Sequence, residues 1–559
     1  MYKSVVLLAV VSAVAGTSSA AVAQTSPAEK SAPSVTIMQN GANELYRDLE
    51  FIMKLTNSTE QKQWSVLQEY LDIFLIGIDR TRPMRVDLIL GGEMERYISS
   101  FPITNMKEFR DDNLESLGIE SRKRRTLYQL KGAFIGYMRH KHEYAIIAER
   151  KDEVPLDIAD PREAIAPLLA AEYDLALEGY NHLEGQIHQD QRRKSFADTR
   201  KELLAVLKKT KEETADDFAL RKSLYDHQLD ELERFFVEAS RMVLGWTTDI
   251  VAQKGRLDIE LDPIEGTSLE ATIDNLGKSI SYFANIERSE NPIFSAHLNH
   301  PLDELRKTNI LETITLLRTR TNNNLNARED VSDAERDARK EIAEKTFGLL
   351  EAGAKQGLAD GFFEVHANES DKNTIVCGFR TVDGTSVVDI LKLVPKAREG
   401  QVMKLDVDSE GDVRIHKVVI SGDRHANFLN FFGTGDLFIG STADAVWLSS
   451  GENALAEVKA AIAKVAGPKP EKPSPVFLDV FVKMAPWINL RNARAGDKGD
   501  VALRKLAMAA FELGDDTFSL QLRRTDKNDV EGELVANPGI LRLAGKMIAD
   551  FSKENLDDQ

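Results

Sequence analysis

The residues best suited to bind a metal ion lie in one short segment of the sequence. His182, Glu184 and His188 fall between a predicted strand and a predicted helical hairpin, and their side chains could reach one zinc ion if the segment curls. The spacing differs from the H-E-x-x-H pattern of zinc-binding helices, and no neighbouring residue is placed to orient the imidazoles. A solvated connection is the simpler interpretation, so these three residues are a metal-site hypothesis and no more.

Three further patterns resemble ligand-binding motifs but each lacks a required part. His140 and His142 share one face of a predicted strand without a third ligand, which indicates an exposed hairpin connection. Residues 406–412 place acids as a calcium loop does, but its twelfth position holds Lys417 where a bidentate Glu is needed. The glycines of residues 433–435 are followed by a strand and not by a helix, so a phosphate-binding loop is not predicted.

The sequence predicts no catalytic residue and no cofactor-binding residue. It lacks the G-x-S-x-G elbow and the S-x-x-K set of serine hydrolases. Its 90 acidic residues are too many for one catalytic pair of carboxylates to be singled out. The tryptophans each lie in an apolar segment and are expected to pack in the core: Trp64, Trp246, Trp447 and Trp487.

The sequence predicts a mixture of strands and helices as the secondary structure that would position any site. Alternation of apolar and polar residues predicts strands at residues 85–90, 171–177, 256–261, 402–407, 413–420 and 476–482. Such alternation is typical of antiparallel sheets with one covered face. Apolar stripes at helical spacing predict amphipathic helices between the strands, including a long helical hairpin at residues 191–237. The fold class is therefore α+β, with antiparallel sheets covered by amphipathic helices. The prolines of residues 467–475 predict a stiff exposed linker.

A strand, a tight turn and a helix follow one another four times along the chain, at residues 97–117, 256–276, 374–394 and 533–548. The first and third of these helices begin near Asn105 and Thr385, 280 residues apart. The second and fourth begin near Thr267 and Ile540, 273 residues apart. This nearly constant offset predicts two similar tandem halves, residues 41–290 and 291–559. Asn105, Thr267 or Ser268, and Thr385 or Ser386 are expected to cap the helix starts.

Residues 1–23 have the parts of a cleaved signal peptide. Lys3 precedes an apolar stretch at residues 5–16, and an A-x-A cleavage site ends at Ala23. Twelve apolar residues would form a helix of only about 18 Å, too short to span a bilayer. We therefore predict that the protein is exported and is either periplasmic or secreted. Residues 24–40, rich in Ser, Ala and Pro, are expected to form a flexible leader.

Composition limits the partners that the exported protein could have. The chain carries a net charge of −18, which disfavours nucleic acids and anionic membrane surfaces as partners. No segment after the signal peptide is apolar enough to span a membrane. Cys377 is the single cysteine and lies in an apolar run, so we expect a small buried hydrophobic residue and no disulfide within the chain.

Four segments resemble those of a group of uncharacterised exported bacterial proteins. They are residues 46–57, 99–105, 123–133 and 144–149, and the likeness is strongest in the first 150 residues. This resemblance implies a signal peptide and a repeated body of strands and helices. It implies no activity and no site residue.

These observations leave three functions open. The first is a non-catalytic binding or envelope-scaffold protein whose contact surfaces are the hairpin at residues 191–237 and a groove between the halves. The second is a carrier of an apolar ligand in that groove. The third is a hydrolase with an unrecognised site, for example at His182, Glu184 and His188. Partners are accordingly an unknown protein or a small apolar ligand, and no cofactor is predicted.

Overall fold

The structure is a computed structural model that describes residues 34–89, 96–211, 213–368, 372–398, 402–420, 426–490 and 498–556. This part of the chain forms 16 helices and 20 strands, which confirms the α+β class. None of the helices in these ranges combines the length and the apolar composition needed to cross a bilayer. The predicted signal peptide lies outside the described residues.

The first ten strands lie before residue 264. They are β1 (Val35–Gln39), β2 (Met84–Ile89), β3 (Arg96–Pro102), β4 (Ile119–Arg124), β5 (Leu127–Gly132), β6 (Gly136–Lys141), β7 (Tyr144–Ala148), β8 (Leu175–Tyr180), β9 (Ala239–Asp249) and β10 (Lys254–Pro263). The helices that accompany them are α1 (Ala42–Lys54), α2 (Ser58–Asp72), α3 (Met106–Glu108, continued by a π-helical turn at Phe109–Leu114), α4 (Pro161–Ala164), α5 (Ala166–Ala170), α6 (Gln186–Val206), α7 (Ala215–Glu238) and α8 (Ser268–Asn275).

The other ten strands follow residue 290. They are β11 (Pro292–Asn299), β12 (Asp360–Ala367), β13 (Asn373–Arg380), β14 (Met403–Glu410), β15 (Val413–Val419), β16 (Asp436–Ser441), β17 (Ala445–Gly451), β18 (Val476–Lys483), β19 (Thr517–Arg524) and β20 (Val530–Ala536). Their helices are α9 (Glu304–Asn326), α10 (Asp333–Lys355), α11 (Val387–Ala397), α12 (Ala426–Phe432), α13 (Ala454–Ala466), α14 (Met484–Leu490), α15 (Lys498–Phe511) and α16 (Pro538–Leu556).

All 20 strands join one antiparallel sheet. Its order is β4-β5-β6-β7-β3-β2-β1-β8-β9-β10-β20-β19-β18-β11-β12-β13-β17-β16-β15-β14. The pairing of β10 with β20 joins the earlier and the later strands, with Ile259 opposite Gly532 next to the middle of the pair. Strands β4 and β14 are the two edges.

The recurring turns begin helices largely as the sequence predicts. The Asn105 side chain accepts the backbone N–H groups of Lys107 and Glu108 at the start of α3. The Thr267 side chain accepts the N–H of Glu270 at the start of α8. The prediction for Ser386 is wrong, because its hydroxyl donates to the Asp383 carbonyl and α11 begins after a 3₁₀ turn without a side-chain cap.

Part of the predicted flexible leader is ordered in the sheet. Residues 24–33 lie outside the described residues, but Val35–Gln39 form β1, which pairs with β2 on one side and β8 on the other. The Ser- and Pro-rich composition of residues 24–34 hid this short strand, whose Val35 and Ile37 lie on one face and Met38 on the other. The prediction of flexibility is therefore wrong for residues 35–39.

The lone cysteine and two of the tryptophans lie in the core as predicted. Trp447 is 1% exposed and Trp64 is 5% exposed. Cys377 is buried, and this burial raises the pKa of its thiol to about 12. An un-ionised thiol at neutral pH is a poor nucleophile, so Cys377 has a packing role.

Candidate functional site

An apolar strip on one face of the central strands is only partly covered. Strand β12 shows the contrast, because Val365 is 0% exposed beneath α12 while Phe363, two residues away on the same face, is 37% exposed. Leu298 on β11 is also 37% exposed. We call this strip the apolar floor. It comprises Ile37, Leu177, Leu244, Leu257, Ile259, Ala296, Leu298, Phe363, Val480, Leu520 and Leu534, none of which is fully buried.

The strand register makes the apolar floor continuous. Leu257 lies opposite Leu534, which lies opposite Leu520. The row continues from Leu520 to Val480 and on to β11 and β12. In the other direction the floor continues from Ile259, which lies opposite Leu244 of β9. Leu244 lies opposite Leu177 of β8, and Leu177 lies opposite Ile37 of β1. Nine neighbouring strands at about 4.8 Å spacing give the floor a length of roughly 38 Å.

Helices pack on the same face at both ends of these strands and form two walls. At one end, α7 and α8 place Phe235, Leu269 and Ile273 over the strand ends around Leu261 and Val530. At the other end, α1 and α16 place Phe51, Ile52 and Leu541 over Trp246 and Ala536. The walls stand apart because β10 leads directly into α8 and β20 leads directly into α16, and these two strands are antiparallel. The floor is the part of the sheet between the walls.

The opposite face of β10 and β20, at the centre of the floor, is polar and acidic. Asp258 lies opposite Glu533, and Glu260 lies opposite Glu531. Burial raises the pKa of Asp258, and the neighbouring carboxylates add to this shift against the effect of Arg256. Arg241 offsets part of the repulsion by donating to Glu260 at 2.6 Å and to Glu178 at 2.7 Å. At β10 and β20 the sheet is therefore apolar on one face and charged on the other.

One wall is fixed by a buried ion pair between elements distant in sequence. Arg234 of α7 is 4% exposed and lies 2.8 Å from Asp303, the N-cap residue of α9. Its guanidinium also donates to the carbonyl of Ser268 and to the hydroxyl of Thr272 on α8. Burial alone would raise the pKa of Asp303, but the hydrogen bonds from Arg306 and Arg234 outweigh it and lower that pKa to about 2.

The other wall contains two carboxyl groups in contact. Asp48 of α1 is 3% exposed and Asp174, just before β8, is 9% exposed. Burial is the main cause that raises the pKa of Asp48 to about 7, and the charge of Asp174 adds to it while Arg47 opposes it. Asp174 accepts the backbone N–H of Thr248 at 2.7 Å. Burial and the neighbouring carboxylate therefore both disfavour the ionised form of Asp48.

The three residues of the metal-site hypothesis are not assembled into a ligand set. His182 stacks on Tyr180 with 5.1 Å between ring centroids, and His188 Nδ1 lies 3.2 Å from the side-chain oxygen of Gln191. Within the described residues, which include His182, Glu184 and His188, no three His, Cys, Asp or Glu side chains lie close enough to hold a metal ion. The structure gives zinc binding at this segment no support.

The remaining motif-like segments have structural roles. His140 and His142 lie at the hairpin between β6 and β7, as the sequence predicts. Residues 406–412 lie on β14 and its turn to β15. Gly435 is required by close packing, since a Cβ there would lie 1.8 Å from the carbonyl oxygen of Ile420. None of these segments forms a ligand site.

The sequence identified β8, β10 and β18 among the strands of the apolar floor, but it identified neither β1 and β11 nor the floor itself. Residues such as Leu257 and Ile259 alternate with acids in a way that predicts one covered face. Whether helices cover that face fully depends on where α8 and α16 pack, which period-two alternation does not encode.

In comparisons with known proteins, no family model matches the sequence, and no curated protein or solved structure is significantly similar to it. The function therefore has to be argued from the geometry of the chain alone.

Proposed function

We propose that this chain is a non-catalytic binding protein that carries an elongated apolar ligand on the apolar floor. The observation that supports this proposal is the partial exposure of a continuous row of Leu, Ile, Val and Phe side chains between two helical walls. Contiguous exposed apolar surface of this extent is uncommon on monomeric proteins and marks binding sites. Covering it removes apolar area from water, which is the main driving force for binding such a ligand.

The chemistry of the floor favours a hydrocarbon chain over a peptide. All eleven side chains of the floor are apolar. The backbone groups of its strands are committed to neighbouring strands on both sides, so they cannot pair with a ligand. An extended peptide would therefore leave its own N–H and C=O groups unpaired against this surface, at a cost of about 1–3 kcal/mol for each buried group. An alkyl chain has no such groups.

A fluorescent long-chain fatty acid tests the proposal directly. We expect the purified protein to bind it, and we expect Leu520→Lys to weaken the binding about tenfold or more because a charge would be buried against the chain. Gln521→Lys is the matched control, since Gln521 is the next residue of β19, is exposed, and lies on the opposite face. Titration by fluorescence gives both dissociation constants.

Two results would contradict the proposal. One is a folded wild-type protein that binds no long-chain probe and yields no lipid on solvent extraction and mass spectrometry. The other is equal weakening by Leu520→Lys and Gln521→Lys, which would place the ligand away from the floor.

We also infer that the two halves of the chain are copies of one α+β unit. Support comes from the sheet order, because β4-β5-β6-β7-β3-β2-β1-β8-β9-β10 has the same sequence of positions as β14-β15-β16-β17-β13-β12-β11-β18-β19-β20. The central pair agrees with this, since Ile259 and Gly532 lie opposite each other and are 273 residues apart. That separation equals the offset between Thr267 and Ile540. An experimental structure whose halves do not superpose with this order would refute the inference.

We infer further that α6 and α7 form the helical hairpin of the first half. Arg200 of α6 pairs with Asp226 and Glu233 of α7, and Arg193 of α6 lies 3.5 Å from Glu238 near the end of α7. These contacts run in opposite directions along the two helices, as an antiparallel pair requires. Between β18 and β19, α14 and α15 occupy the matching place in the second half.

Export remains a proposal that rests on residues 1–23. We expect the mature protein recovered from a bacterial host to begin at Gln24, because the A-x-A site ends at Ala23. N-terminal sequencing of protein from the periplasmic or extracellular fraction checks this. A mature protein that still begins at Met1 would argue against export by this route.

A further inference from the structure

One edge of the sheet carries unpaired positive charge. Strand β4 pairs with β5 on one side, and no other described strand pairs with it. Arg122, Lys123, Arg124 and Arg125 are all exposed on this strand and its turn, and we call them the basic edge. Lys123 lies 5.8 Å above the ring of Tyr128. Within the described part of the chain, the three arginines make no ion pair or hydrogen bond through their side chains.

The other edge carries negative charge at the corresponding place. Strand β14 pairs only with β15 among the described strands. Asp406, Asp408, Glu410 and Asp412 lie on it and on its turn, and we call them the acidic edge. Lys459 is the main internal counter-charge, at 2.9 Å from Asp408 and 3.9 Å from Glu410, and Asp406 lies 3.5 Å from Arg414. The negative charge of the four acids of the acidic edge is thus only partly neutralised by basic side chains of the same chain.

The two edges are the first and last strands of the described sheet, with 18 strands between them, and they do not pair with each other. We propose that the basic edge of one copy of this chain docks on the acidic edge of a second copy. The contact is head-to-tail and leaves one edge of each kind free, so it can repeat into a ring or an open chain.

Charge complementarity is the reason to commit to a second copy. The whole chain carries a net charge of −18, so two copies repel each other in most orientations. The cations of the basic edge make the interaction attractive where that edge faces an acidic surface. Edge strands also offer unpaired backbone N–H and C=O groups. The register of β14 on β15 shifts between Lys404 and Asp408, which limits new backbone pairing to the short regular stretch at residues 408–410. The ion pairs therefore carry most of the contact.

The full-length mature protein tests this by sedimentation velocity. We expect its average mass to rise with protein concentration at about 20 mM salt, and we expect the dissociation constant to weaken by about tenfold or more at about 500 mM salt, where exposed charges are screened. Two variants separate the edges. The first carries Arg122→Glu, Arg124→Glu and Arg125→Glu, and the second carries Asp408→Lys, Glu410→Lys and Asp412→Lys.

Each variant alone should remain monomeric, because its two edges then have the same sign. An equimolar mixture of the two should associate again, since each basic edge then meets an acidic edge of the other variant. This recovery also shows that both variants are folded. The proposal is overturned if the wild-type protein stays monomeric at low salt or if the mixture does not associate. The edge charges would then serve only to prevent pairing with other strands.

Discussion

Replacing Asp48 by Asn is expected to stabilise the folded protein by about 3–4 kcal/mol at pH 8, and by far less near pH 4. Asp48 is 3% exposed and faces Asp174, so its ionised form is disfavoured by burial and by a second carboxylate. Asn keeps the shape and the hydrogen-bonding capacity of the protonated acid and cannot ionise. The charged groups around this position are Asp174, Arg47 and Glu44.

The direction of the pH dependence follows from the raised pKa of Asp48. Its pKa is about 7 in the folded protein and near 3.8 in an unfolded chain. The stability that depends on the protonated form is fully present below the unfolded value. It is lost as the pH rises from about 4 to about 7, and the remaining penalty is constant above that. The wild-type protein should therefore lose stability over this range, and the variant should not.

Urea unfolding of both proteins between about pH 4 and pH 8.5 measures the effect. Asp190→Asn is the control, because Asp190 of α6 has a side chain that is 61% exposed. It should change the stability little at any pH. If Asp48→Asn gave the same free energy of unfolding as wild type at pH 8, the two carboxyl groups would not repel each other in the folded state.

The sequence predicted the local elements well and the long-range contacts poorly. Alternation over residues 256–261 and 413–420 identified β10 and β15 because each strand places mostly apolar side chains on one face and mostly polar side chains on the other. The caps at Asn105 and Thr267 were predictable because they depend only on neighbouring backbone groups. Such signals involve residues within a few positions of one another.

The features that define the candidate site depend on residues far apart in the chain. Asp48 and Asp174 come together because β8 pairs with β1, which directly precedes α1. In a chain with 90 acids, nothing local distinguishes this pair from the others. The metal-site hypothesis shows the opposite case, since His182 and His188 are close in sequence but their side chains contact separate neighbours, Tyr180 and Gln191. Proximity in sequence is a weak guide to a site unless a helix or strand fixes the side-chain directions.

Replacing Arg234 by Met is expected to lower the free energy of unfolding by about 3–5 kcal/mol, the cost typical of removing one partner from a buried ion pair. Met fills a similar volume but leaves Asp303 without its buried partner and removes the link from α7 to α8 and α9. Arg320→Met is the control, since Arg320 is 40% exposed in its pair with Asp217 and this change should cost no more than about 1 kcal/mol.

The double variant that combines Arg234→Met with Asp303→Asn keeps an N-cap residue on α9. It should be more stable than the sum of the two single changes predicts, because it leaves no unpaired carboxylate. Urea unfolding of the wild type, the two single variants and the double variant completes this double-mutant cycle. If the losses in free energy of unfolding are additive, Arg234 and Asp303 stabilise the wall independently of each other.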